Sequence, residues 1–426
     1  MPDIEKLRGF RDYYPDDEMI REELFQKMRE VAKAYGFQPI DYPSLEYLKM
    51  FQIKSGDELV SQTYNFKDKG EREITLIPEA TPSTVRMLIQ KKEISRPVKW
   101  YNIPKLWRYE EPQSGRNREH YQFNCDFFGE PTEQGDLEVI SVACQLLDSI
   151  GLKGKYEVRL NERKLMEHIL SHYGAIDPVG CLPIIDRLRK EDRSITEERL
   201  LEKGIEGKNL KELMEFLLGR YSLVSIQAER FKKFYENKEF LYIVKLMTRL
   251  KENGLEDVVF DPGTVRGLSY YTGIVFEGFD KSGKFRSIFG GGRYDNLSSL
   301  FGGQEIPAVG FGMGDAVIEN IMRDHGLWKP NEQGGRYYII GKGKSGTELS
   351  YRVASQLRKR NIITELDVSD RNISKTIAKA VSRNFSIALI IGEREALENK
   401  LKLKDLRTKK QEEFSVEEFL KTIKNF

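Results

Sequence analysis

The chain has 426 residues, 39% of them hydrophobic, and 69 Lys+Arg against 67 Asp+Glu for a formal net charge of +2 at pH 7. The hydrophobic share excludes a disordered chain, the length suits two to three domains, and the near-balanced charge gives no chain-wide signal for nucleic acid. No apolar run approaches the ~20 residues of a membrane helix, the N-terminus carries no secretory signal, and Cys125, Cys144 and Cys181 form no even framework, so a soluble cytoplasmic protein is expected.

Asp16 and Asp17 can cap a first helix. Its apolar face is Ile20, Leu24, Met28, Val31 and Tyr35, at spacings of three and four, and Gly36 ends it. Residues 37–43 read as a short irregular strand, because Pro39 and Pro43 exclude a central one. A strand is expected at 74–77 and a helix at 82–90. Residues 98–109 and 121–128 read as strands around the polar stretch 110–119, which makes a long hairpin with a mobile tip. A helix at 135–150 and a strand at 156–160 follow.

Residues 163–254 differ in kind. They are rich in Lys, Glu and Leu with helical periodicity, and read as an all-helical insertion. His168 and His172 lie four apart there, but no Cys or His partner is near, so no zinc site is expected. Strands resume at 258–260, 269–278 and 285–289. Gly290-Gly-Gly-Arg-Tyr-Asp295 reads as a turn into a helix, followed by a strand at 308–313 and a helix at 315–325. The strands of residues 1–326 cluster in hairpins, which suggests an α+β antiparallel sheet.

By composition 327–335 is a linker. Beyond it, strands at 337–340, 362–366 and 387–391 alternate with helices at 347–359 and 374–382. A strand pair from 401 and a helix at 416–423 close a small α/β domain, 336–426. Residues 336–426 hold 20 Lys+Arg and 12 Asp+Glu, leaving 49 and 55 in the rest. A basic tail on an acidic body suits contact with a polyanion. Gly341-Lys-Gly-Lys-Ser-Gly346 formally matches a dinucleotide fingerprint, but the domain is about half a dinucleotide fold, and a turn opening a helix is the preferred reading.

The hairpin carries the strongest chemical signal. Arg108 and Glu110 are two apart and share a face, and Gln122, Asn124 and Asp126 alternate likewise on the partner strand. An arginine among hydrogen-bonding groups on one sheet face makes a polar floor rather than a core. Pro43 after the first helix, Arg108-Tyr-Glu110 and Gly310-Phe-Gly-Met-Gly314 before a helix together resemble the three ordered motifs of class II aminoacyl-tRNA synthetases. Val265-Arg-Gly-Leu-Ser-Tyr-Tyr271 with Val275-Phe-Glu277, and Gly291-Gly-Arg-Tyr-Asp295, narrow the resemblance to histidyl-tRNA synthetases. Gly9-Phe-Arg-Asp12, Pro78-Glu-Ala-Thr81 and Lys404-Asp-Leu-Arg407 fit the same family, in order and end to end.

The resemblance implies an antiparallel-sheet catalytic domain over 1–326, containing the 163–254 insertion, and an anticodon-binding domain over 336–426. It implies activation of L-histidine by ATP, which enters with Mg²⁺ and no protein metal ligand, then transfer to tRNA(His) by a homodimer with no membrane role. Arg108 and Arg266 would act at the α-phosphate. Glu79, Ala80, Thr81, Gln122, Asp126, Tyr270 and Tyr271 would join them around histidine, with Asp126 and Tyr271 on the imidazole. Glu110, Arg116 and His120 would meet ATP, and Gln113 and Arg118 the tRNA acceptor end. Val317 stands where the family carries an arginine for the ATP γ-phosphate, with Arg116, Arg118 or Arg293 as possible substitutes, and Ser269 replaces the usual Asp. A synthetase-like regulatory paralog that binds histidine or ATP without charging tRNA is the alternative; the C-terminal domain argues against it.

Overall fold

The computed structural model describes residues 5–91, 93–266, 270–330, 336–367, 372–383 and 385–423, with the side chains of 54–59 and 229–230 set aside. Ser269 and most of the expected linker lie outside the described residues. The chain forms two compact units, Met1–Lys329 and Pro330–Phe426.

The first helix spans Pro15–Ala34 and buries Ile20, Leu24, Phe25, Met28, Val31 and Ala32. Asp16 and Asp17 lie in its first turn rather than capping it. They complement the helix dipole there, and Tyr14 holds the cap position without a side-chain bond. Next comes a small antiparallel sheet in the order Leu45–Tyr47, Glu73–Leu76, Asn65–Lys67. The helix Leu48–Ser61 of this region has no counterpart in the sequence reading.

The main sheet of the first unit runs in the order Gln38–Pro39, Val98–Asn102, Glu119–Phe128, Ala308–Gly314, Phe289–Arg293, Ile274–Asp280, Tyr156–Glu162, Val258–Phe260. The outermost pairs are parallel and all those between are antiparallel. The expected strand 98–109 breaks at Pro104, which has no N–H to donate. Val98–Asn102 pairs with one half of Glu119–Phe128 and Lys105–Trp107 with the other, while Gln122 N donates to the Pro104 carbonyl at 3.1 Å. The expected turn at 290–293 is instead a central strand, Phe289–Arg293, all of it buried.

Helix Glu133–Ser149 covers one face of this sheet and contributes ten buried residues. The segment after Arg163 is helical, from Arg163–His172 through Lys238–Glu252, and its apolar side chains join the same core as Leu24, Phe123 and Val139. His172 packs on Tyr173 and Phe234 and meets Lys233 Nζ at 3.2 Å.

In the second unit the strand order is Thr364–Leu366, Tyr337–Gly341, Ile387–Ile391, Lys400–Asp405, Gln411–Ser415, parallel for the first three and antiparallel for the last two. Helix Gly343–Arg358 starts inside the glycine-rich segment. A Cβ on Gly343 would lie 2.3 Å from Glu393 Cγ, so a carboxylate side chain occupies the turn.

Candidate active site

A cleft of about 830 Å³ opens on one face of the main sheet. Its floor is set by register. Gly310 stands opposite Asp126, Gly312 opposite Asn124 and Gly290 opposite Glu277. A Cβ on Gly310 would sit 2.2 Å from Asp126 Oδ1, on Gly312 2.8 Å from the Gln122 amide carbon, and on Gly290 1.4 Å from Arg266 Nη1. The glycines of the central strands therefore do not turn the chain. They clear space for polar side chains lying flat on the sheet.

Glu79, Ala80, Thr81, Arg108, Glu110, Arg116, His120, Gln122, Arg266, Tyr270 and Tyr271 all line this cleft. They come from four separate stretches of chain. Arg108 is fixed by its own Nε, which donates to the Pro78 carbonyl at 2.8 Å. That bond joins the hairpin to the segment bearing Glu79. Burial pushes the Arg108 pKa down, and Glu79 and Tyr270 act against the shift.

Arg266 lies over Gly290 on the floor of the cleft. Its Nη1 donates to Glu277 at 3.0 Å, and its guanidinium lies 5.6 Å over the Tyr271 ring. Burial disfavours its charge, but Tyr271 and Glu277 more than offset that, so its pKa is raised. Its backbone adopts φ +53, a left-handed conformation that costs a non-glycine residue about 1 kcal/mol or more and is held by its surroundings.

At the hairpin end, Arg116 pairs with Glu110. Burial and the neighbouring guanidiniums of Arg286 and Arg108 lower the Arg116 pKa. His120 is pushed down to about 3 by burial and by Arg108, Arg11 and Arg116, so its imidazole is neutral across the physiological range. Gly115 of the tip lies over Val317, with its Cβ position 3.1 Å from Val317 Cγ2. Both residues line the cleft.

Other residues are placed differently. Asp126 is 2% exposed and lies behind the lining; the Tyr294 hydroxyl, which does line the cleft, donates to it. Gln113 and Arg118 are on the tip outside the cleft, where the Arg118 guanidinium lies 4.1 Å over the Tyr109 ring. Arg293 is buried and committed: Nε to Asp136 at 3.0 Å, Nη1 to the Glu130 carbonyl at 2.8 Å, Nη2 to the Thr132 carbonyl at 2.5 Å. Arg286, Tyr294 and the insertion residues Asp186 and Arg187 line the cleft unannounced by the sequence reading. Among the described residues no group of three or more His, Cys, Asp or Glu is arranged to hold a metal ion, and no helix is long and apolar enough to cross a membrane.

The family profile described as histidyl-tRNA synthetase matches residues 9–315, and that of an anticodon binding domain matches 337–426. The chain is 45% identical over 415 residues to a histidine–tRNA ligase of Thermoplasma volcanium, covering 96% of each chain. It is 44% identical over 429 residues to the histidine–tRNA ligase of Picrophilus torridus, covering 99% of each. In fold it is similar to a crystal structure of histidyl-tRNA synthetase from Nostoc, with a TM-score of 0.83 and 21% identity over 99% of both chains.

Proposed function

The chain belongs to the histidyl-tRNA synthetase family, and from that premise we propose how its cleft carries out the two steps of tRNA charging. It is an aminoacyl-tRNA synthetase that charges tRNA with histidine. A carboxylate oxygen of histidine attacks the ATP α-phosphorus, and pyrophosphate leaves. A ribose hydroxyl at the tRNA 3′ end then attacks the acyl carbon, and AMP leaves.

The observation that carries the residue roles is the convergence of Arg108 and Arg266 on one cleft from separate segments of the chain. The histidine carboxylate is ionised at neutral pH, so the task is to bring two anions together and neutralise the charge that builds at the α-phosphate. A guanidinium forks onto phosphate oxygens. Arg108 and Arg266 do so together, each preorganised by its own partner, the Pro78 carbonyl and Glu277.

Glu79, Ala80, Thr81 and Gln122 hold the α-amino end of histidine. Tyr270 and Tyr271 wall the ring. Burial raises the pKa of both phenols, which therefore stay neutral donors and acceptors. Asp126 acts through Tyr294, whose hydroxyl it accepts. A buried polar pocket of this kind rejects side chains that leave one of its groups unpaired.

Glu110 reads the adenine amino group, His120 stacks on the base as a neutral ring, and Arg116 and Arg286 take the pyrophosphate end. Mg²⁺ enters on the ATP phosphates. Gln113 and Arg118 face the acceptor end of tRNA(His), and the second unit, with its basic excess, reads the anticodon. The protein works in the cytoplasm as a homodimer; exposed Leu45, Tyr47 and Phe66 on the small sheet support self-association. The test is ATP–pyrophosphate exchange with each of the twenty amino acids and Mg²⁺. Exchange with histidine alone is expected; exchange with none would turn the reading to the regulatory paralog.

A further inference from the structure

One ion pair outside the cleft, between a buried aspartate and an exposed arginine, has no part in the roles above. Asp261 is 0% exposed, and Arg189 forks onto it: Nη1 to Oδ2 at 2.6 Å, Nη2 to Oδ1 at 2.8 Å. The two residues are 72 positions apart. Arg189 lies in the turn after the insertion helix Pro178–Arg187, and Asp261 directly follows the edge strand Val258–Phe260. A buried carboxylate requires a paired cation, and removing that partner leaves an uncompensated charge. The other arginine nearby, Arg159, is 3.8 Å from Asp261 and donates to Glu157 at 2.8 Å.

Asp261 is the first residue of the five that lead to Arg266. Its Oδ1 accepts Gly263 N at 2.9 Å and its carbonyl accepts Thr264 N at 3.0 Å. Asn161 Nδ2 donates to the carbonyls of Pro262 and Thr264 at 3.1 and 3.0 Å. This tight turn presents Arg266 in its left-handed conformation, which relaxes unless neighbours fix it.

The insertion presses on the same turn at a second point. A Cβ on Gly263 would lie 2.9 Å from the Leu217 carbonyl and 3.2 Å from Arg189 Cζ. The helix ending at Arg187 also sets Asp186 and Arg187 in the cleft lining. The insertion thus contributes to the cleft lining and, through Arg189, grips the turn that leads to Arg266.

We propose that Arg189 is a positioning residue for Arg266: its fork on Asp261 locks the helical insertion to the turn that aims the catalytic arginine. The proposal rests on the role given to Arg266 above. Its consequence is that the seating of the insertion sets the rate of adenylation. Of the histidine-binding residues, Glu79 and Gln122 are on other segments and do not depend on it, whereas Tyr270 and Tyr271 follow Arg266 on the same segment.

The test uses the full-length chain and compares the parent with R189M, R189K, R266A and R189M/R266A in histidine-dependent ATP–pyrophosphate exchange, with histidine affinity measured by calorimetry. R189M is expected to lower kcat by about tenfold or more, the scale of a small misplacement of a reacting group, and to weaken histidine Kd by a smaller factor, through Tyr270 and Tyr271 on the same segment. R189K keeps a charge but not the fork and is expected to fall between. The double variant is expected to be no slower than R266A, because the first change acts only through the second. An R189M or R189K kcat within about twofold of the parent, or a double variant slowed by the product of the single effects, would overturn the proposal. If R189M does not fold, R189K decides by the same criteria. Near-parental exchange in R266A would instead overturn the role of Arg266 itself and this coupling with it.

Discussion

Arg116 and Glu110 pair with each other across the base of the hairpin tip, the guanidinium lying on the carboxylate. The two are proposed to meet different parts of ATP, so nucleotide binding exchanges one ion pair for two ligand contacts. Glu110→Ala releases Arg116 and removes the adenine contact together. A charge-assisted hydrogen bond is worth about 1.5–3 kcal/mol, so ATP KM is expected to rise about tenfold or more, with histidine KM unchanged. Discrimination of ATP over GTP should fall in parallel. Steady-state exchange with both nucleotides measures this; an unchanged ATP KM with unchanged discrimination refutes the adenine role.

Gly290→Ala tests the floor. The added Cβ would occupy the position of Arg266 Nη1, 1.4 Å away. The guanidinium must swing off Glu277 or the strand must shift. Adenylation kcat is expected to fall about a hundredfold, with a smaller loss of thermal stability. Stopped-flow adenylate formation alongside a melting curve separates the two effects, and a parental rate would mean that Arg266 does not work from the observed position.

Arg286→Met tests the pyrophosphate end. Arg286 lines the cleft close enough to Arg116 to shift its proton affinity, while Val317 in the same lining offers no charge. The variant is expected to lose about tenfold in affinity for ATP and little for AMP. Equal losses for the two nucleotides, or a loss seen only in transfer to tRNA, would move Arg286 out of this role.

The fourth prediction concerns acid. His120 titrates near 3 in the folded chain against 6.5 as a free side chain. Between those values the unfolded chain binds the extra proton, so this group's stabilising contribution is complete above about pH 6.5 and is lost as pH falls toward 3. His120→Phe removes that uptake and keeps a ring for stacking. Urea unfolding at pH 7 and pH 4.5 should show a smaller acid loss in the variant than in the parent; an equal loss would mean that His120 is protonated in the folded state.

The main architecture was legible because periodicity and local chemistry agreed with it. The 3–4 spacing from Ile20 to Val31 became a buried helix face, and the alternation of Gln122, Asn124 and Asp126 placed them opposite a row of glycines. What misled was glycine read as punctuation. In Phe289–Arg293 its use is close approach, which no local pattern distinguishes from a turn. Helix Leu48–Ser61 escaped notice because Gly56 and Ser55 interrupt its helix formers.

The site divides in the same way. Most residues named from the motifs line one cleft, with Asp126 behind it and Gln113 and Arg118 outside it. Arg286, Tyr294, Asp186 and Arg187 reach it from outside the roles those motifs suggest, through sheet order and the fold-back of the insertion. Tyr294 had a signal, since it sits inside Gly291-Gly-Arg-Tyr-Asp295, but only the bond to Asp126 gives it a function. Arg286 had none, because an isolated arginine between two strands looks like any surface charge.

The apolar core of the first unit runs without a break from Leu24 and Met28 of the first helix, through Val139 and Phe276, into Leu213, Phe231 and Leu250 of the insertion. The second unit buries its own separate set around Ile339, Leu357 and Phe419. The helical insertion is therefore not a cassette. Its excision would strip solvent protection from the flank of the catalytic sheet, and its melting is bound to that sheet's melting. Heating the chain should give at most two calorimetric transitions rather than three, one for each independent core. Recombination between relatives should tolerate a joint near residue 330 far better than joints at the ends of the insertion.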